Sequence, residues 1–225
     1  MRLTGISLLS ALALTSGVAM AQTGLASFSY DSLAGGYTAT SGSSGVFTAN
    51  AVNTVALKTV GDFNRTVAST GNADFPAGFV TDPNLADISI TMNVNVLGGG
   101  IATGTGTIDI TDTDGDVFSA TVAGTWYDIA PGFYFFNGDL TSITLTDNGV
   151  ADGAFNGYNG SWLMNLPGNP LTGAIVNLVF GTSNPGFFVN NFNDFAVGVS
   201  GQVVPTPGVL ALMGLGGLAA ARRRR

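Results

Sequence analysis

Cysteine, histidine and glutamate are all absent from this chain of 225 residues. Without cysteine there is no disulfide, so the core alone must hold the fold. Without histidine or cysteine, Ser-His-Asp and Cys-His nucleophilic sites are excluded, and so are the usual zinc sites. No general base suited to neutral pH remains except a shifted aspartate or Lys58. The 14 acidic residues are all aspartate, against 7 lysines and arginines. Between the two terminal segments the only cations are Lys58 and Arg65. A body this acidic speaks against nucleic acid as a partner. It suits divalent cations, or solubility through self-repulsion.

The termini are built differently from the middle. Arg2 is a minimal positive region, Leu3 to Val18 forms an apolar stretch, and Ala19-Met20-Ala21 has the small-x-small form of a cleavage site. Residues 1–21 therefore read as a signal peptide, handled by an export translocon and cut by signal peptidase after Ala21, with Ala19 and Ala21 as the small residues of the cleavage signal. The mature chain begins near Gln22. At the other end stand Val204, Pro205, Thr206, Pro207 and Gly208, then an uncharged run from Val209 to Ala221, then Arg222, Arg223, Arg224 and Arg225. The two prolines fix φ and remove two backbone donors, which predicts an extended motif. As a helix the apolar run spans only about 20 Å, less than the roughly 30 Å of a bilayer's hydrocarbon core. Snorkelling arginines stretch it toward a marginal span, with the cluster on the cytoplasmic side.

This tail, residues 204–225, resembles the PEP-CTERM sorting signal of Gram-negative bacteria. The likeness rests on Val-Pro-x-Pro-Gly, the Leu- and Gly-rich run from Leu210 to Ala221, and the arginine cluster, in that order. Thr206 stands where the family usually carries glutamate. The resemblance implies an exported protein whose tail is recognised by an exosortase-like membrane enzyme. It also implies a cell-surface or extracellular destination, with transient or retained inner-membrane anchoring through residues 209–221.

Residues 22–203 read as one all-β domain. Gly, Thr, Ser, Asn and Val dominate, and short apolar runs alternate with polar residues between Gly, Asn-Gly and Asp-Gly signals. Expected strands are Ala26–Tyr30, Gly45–Ala49, Val52–Val60, Asp87–Leu97, Ala102–Asp112, Val117–Asp128, Gly132–Asn137, Leu140–Thr146, Gly160–Leu166, Ala174–Phe180 and Phe187–Val203. Long loops are expected at Gly61–Pro83 and Asp147–Gly160, and Gln202–Thr206 as a linker. Ile88, Ile90, Met92, Val94 and Val96 fall on one face, which marks an antiparallel strand with one wet side. So many strands suggest a single antiparallel β-sandwich of jelly-roll type, flanked by a signal-peptide helix and a short C-terminal hydrophobic helix. A closed barrel or a solenoid is the alternative, and the lack of a fixed-period repeat counts against the solenoid.

Two groups of residues carry candidate chemistry. Around Asp112, Asp114 and Asp116 a two-residue turn would mix the faces of the hairpin. A three-residue loop, Thr113-Asp114-Gly115, instead pairs Ile110 with Phe118 and Ile108 with Ala120, and sets Asp112 opposite Asp116. Like charges so placed need water or a hard cation. Calcium is the candidate ion, although Gly115 is misplaced for the usual calcium loop and no bidentate glutamate exists. The alternative is a solvated turn. No other cofactor is implied. The second group is aromatic: Trp126, Tyr134, Tyr158 and Trp162 have polar tips suited to stacking on a matrix polysaccharide, or to a place in the core. No pair of aspartates stands out as a glycosidase acid and base, and Gly98-Gly99-Gly100 precedes a strand rather than the helix of a phosphate cradle. The expectation is a non-catalytic surface or biofilm-matrix protein, with a polysaccharide-binding module as the alternative.

Overall fold

The computed structural model describes residues 24–76, 88–147, 152–167, 171–172, 174–181 and 186–205. Thirteen strands follow one another: β1 (Ala26–Ser41), β2 (Ser44–Asn50), β3 (Val60–Arg65), β4 (Gly71–Phe75), β5 (Ile88–Gly98), β6 (Ile101–Thr111), β7 (Val117–Ala130), β8 (Phe133–Thr146), β9 (Ala154–Asn156), β10 (Ser161–Leu163), β11 (Leu171–Thr172), β12 (Ala174–Gly181) and β13 (Phe192–Pro205). All the pairings are antiparallel. They form an 11-stranded sheet and a two-stranded sheet of β9 and β10. Coarsely the domain is β-sandwich-like, two antiparallel sheets sharing one core.

In detail the large sheet closes on itself. The path β1-β2-β5-β6-β7-β8-β12-β13 returns to β1, because β13 pairs with β1 from Ala26↔Val203 to Tyr37↔Phe192. Neighbours are mostly consecutive hairpins, the order of a meander rather than the crossing order of a jelly roll. The short turns at Gly98–Gly100 and Pro131–Gly132 favour this, since they join each strand to its own successor. A ring of eight strands has an interior that side chains alone can fill.

Alternation along the strands fills it. Ile88, Ile90, Met92 and Val94 are buried while Thr91, Asn93 and Asn95 are exposed. At the upper end Trp126 lies 5.0 Å from both Phe47 and Phe136, ring centre to ring centre. Glycines make room for these rings. A Cβ on Gly104 would lie 2.8 Å from Trp126 Nε1, and one on Gly45 would lie 2.3 Å from Tyr37 Oη. At the lower end Phe63 sits among Phe28, Phe118, Phe155 and Trp162, at 5.0–5.7 Å. Trp162 donates its Nε1–H to Phe63 O at 2.8 Å. The small β9–β10 sheet is thereby fixed against β3.

β1 is where the sheet branches. Its first half, Ala26–Asp31, pairs with β3; its second half, Ala34–Ser41, pairs with β2. Between them Ser32 takes φ of 61° and the register with β13 shifts. Asp31 Oδ1 accepts the Ser32 N–H at 2.7 Å. Buried Thr59 donates its hydroxyl to Ser32 O and accepts from Val52 N–H, which ties the preceding loop to the branch.

Several expected elements differ. Val52–Val60 is a looped-back turn rather than a strand: Asn53 bridges Lys58, Thr54 N–H donates to Leu57 O, and Val55 is fully exposed. Its apolar residues find no face to pack on. The expected long loop at Gly61–Pro83 contains β3 and β4, and that at Asp147–Gly160 contains β9. The expected strands at Gly132–Asn137 and Leu140–Thr146 are one strand, β8, with its irregularity at Ser142, where φ is 51°. Val203–Pro205 is the end of β13 and not a linker. Pro205 pairs with Leu171, at a strand terminus where a missing N–H is tolerated. The expected signal peptide and residues 206–225, with both expected helices, lie outside the described residues.

Candidate functional site

The Asp112–Asp116 turn adopts the three-residue register. Ile110 pairs with Phe118, Ile108 with Ala120, and Asp112 N–H donates to Asp116 O at 2.9 Å. Gly115 takes φ of 102°, a value that favours glycine. This register has a consequence for the acids. Strand alternation that points Ile110 and Phe118 inward also points Asp112 and Asp116 inward, and both are 1% exposed. The two flanking acids are therefore buried, while Thr113 is exposed and Asp114 and Gly115 are half-buried: the turn is solvated at its tip but not at its base.

Asp112 is engaged on both oxygens. Oδ1 accepts the N–H groups of Asp114, Gly115 and Asp116 at 2.8–3.0 Å. Oδ2 accepts the N–H of Asn156, on β9, at 2.7 Å. Thr113 N–H donates back to Asn156 O at 3.0 Å. The Asn156 side chain donates to Asp114 at 3.3 Å and to Asp152 at 3.0 Å. One carboxylate thus closes its own turn and straps it to the second sheet. Asn156 carried no signal in the sequence, because its partner lies 44 residues away.

The electrostatics follow from burial. Loss of water pushes Asp112 up to about 7, and a hydrogen bond with the Asp114 side chain adds to this; the N–H groups of Asn156, Asp116 and Asp114 oppose it. Asp152 is held below its ordinary value, first by the Asn156 side chain and then by Ala154 N–H. One carboxylate oxygen from each of Asp112, Asp114 and Asp116 lies within 4.8 Å of the others. That reach suits a small cation, but calcium prefers six to eight oxygens and Asp112 has its acceptors taken by N–H groups. A proton held between Asp112 and Asp114 removes one of the three charges without a metal.

The aromatic group does not form a surface. Trp126, Tyr134 and Trp162 are 0%, 1% and 3% exposed. Tyr134 packs between Phe180 and Phe187 at 5.1 and 5.2 Å. Of the four, only Tyr158 is open to solvent. The sequence could not separate these roles, because which face of β7 and β8 turns inward depends on ring closure. Of the tail, Val204 and Pro205 are the end of β13, while Thr206, Pro207, Gly208 and Arg222–Arg225 lie outside the described residues, as do Ala19 and Ala21.

A different feature emerges on the outer face. Two clefts of about 320 and 530 Å³ share Ser29 and Asp62. They lie where β1 meets β3 and β13. Val60, Gly61, Asp62 and Asn64 of that wall come from β3, which the polar run after Gly61 disguises as a loop. No protein-family model, curated protein or solved structure matches the chain.

Proposed function

We propose that the protein is a non-catalytic, exported component of the cell surface or extracellular matrix. It is delivered by a signal peptide and by an exosortase-like enzyme acting on the PEP-CTERM-like tail, and is flanked in its full-length form by the two terminal hydrophobic helices. The observation that carries this reading is the use to which the chain puts its few chemical groups. The aspartate cluster clamps a turn to the second sheet, and Trp126 and Tyr134 fill the barrel. A second support is the pairing of Ala26 with Val203. The two ends of the domain leave side by side, as suits a body held by one end.

The test uses the chain's only lysine. Lys58 stands exposed on the turn before β3. A membrane-impermeant amine reagent applied to intact cells labels Lys58 if the domain faces outward, and peptide mapping separates this from the N-terminal amine. Lys58→Arg removes the signal. Labelling only after cell lysis contradicts the reading.

A further inference from the structure

We propose that the outer groove over β4, β3, β1, β13 and β12 binds a polysaccharide carrying protonated amino groups. The groove is built from a row of directly paired residues. Asp74 pairs with Asp62, Asp62 with Ser29, Ser29 with Ser200, and Ser200 with Asn177. At 4.7–4.9 Å per strand, five strands make a row about 19 Å long. A second row beside it runs Asn72, Asn64, Ser27, Gln202. Apart from Asn72, the rows line the two joined clefts with hydroxyls, amides and carboxylates. Such groups match the hydroxyls of a sugar chain, and Val60, Phe75 and Pro76 give the first cleft an apolar margin for the carbon faces of its rings.

Charge selects the kind of sugar. Asp62 and Asp74 stand directly opposite each other, an arrangement that is destabilising by itself. Asp31 lines the same cleft. Neither Lys58 nor Arg65 lines either cleft, and Arg65 is turned inward to Leu163 O, Asn165 and Ala68 O. A bound cation therefore relieves a repulsion that the fold leaves standing. A single metal ion fits poorly. Among the described residues only Asp112, Asp114 and Asp116 bring three carboxylates close enough to share one. Carboxylates spread along a groove suit ammonium groups spread along a polymer. Binding measured on purified protein stands or falls independently of where the cell places the protein.

Isothermal titration of the full chain tests the groove. The probes are a glucosamine oligomer with free amines, its N-acetylated counterpart and a neutral glucose oligomer. The free-amine oligomer is expected to bind best. Its affinity falls about tenfold or more in the Asp62→Asn, Asp74→Asn double variant and falls with added salt. The double variant melts no lower than wild type, because it removes a like-charge pair. Absence of binding, equal binding of the acetylated oligomer, or unchanged binding in the double variant overturns the proposal. Calcium binding that the double variant loses, without oligomer binding, overturns it too.

Discussion

Asp112 occupies the position where an inward-facing strand residue becomes a turn residue, and its chemistry follows from that double duty. Its carboxyl is buried, held by N–H donors from two segments, and raised to about 7. A raised acid keeps its proton in the folded state where the unfolded chain has released it. Its contribution to stability is therefore complete below the ordinary value of 3.8 and is lost as pH rises through about 7. Asp112→Asn removes this term. The stability of wild type relative to Asp112→Asn, measured by urea unfolding across pH, is expected to decline between those two values and to level off above them. A difference that rises with pH contradicts a protonated Asp112. The hairpin's register was legible in the sequence, from the need to match Ile110 with Phe118. The burial of the acids was not read from it, although residues two apart on a strand share a face, because the sequence does not show that the core extends to the turn. The strap to Asn156 was not legible, because it depends on where a segment 44 residues on returns.

Among the elements, the small β9–β10 sheet is the one that local sequence signals least. Its strands have three residues each, too few for a period to register. It is held instead by packing: Trp162 against Phe63 and Phe155 at 5.0 and 5.3 Å, and one hydrogen bond to Phe63 O. Trp162→Phe keeps most of the ring contact and loses the bond, an expected cost of about 1 kcal/mol. Trp162→Ala also opens a cavity and is expected to cost about 3–5 kcal/mol. Denaturant unfolding checks both. Equal and negligible losses would mean that the second sheet is not part of the cooperative core. The long strands were the legible ones. β5, β6 and β7 repeat the two-residue period over enough turns of the pleat to announce both strand and inward face. Val52–Val60 has the composition of a strand and folds as a turn, since nothing in a local window says whether a partner edge exists.

At the scale of the molecule, a chain of net charge −7 surrounds an aromatic interior with hydroxyl and amide side chains. All-antiparallel architecture could be read from alternation alone. Closure could not, because the β13–β1 pairing joins the two ends of the domain, and a meander and a crossing topology share the same strand periodicity. The outer groove exists only because of that closure, which brings Ser29 beside Ser200. Pairing with β11 holds Val204 and Pro205 in the sheet, so an enzyme reading Val204–Gly208 must work against the domain itself. Fractionation of native cells with mass-spectrometric mapping of the protein's C-terminus tests the surface reading most directly. The expected product ends close to Val204–Gly208 and is found at the outer surface or in the medium. A product that keeps Arg222–Arg225 and stays in the inner membrane would contradict sorting through the tail and place the domain's work in the periplasm.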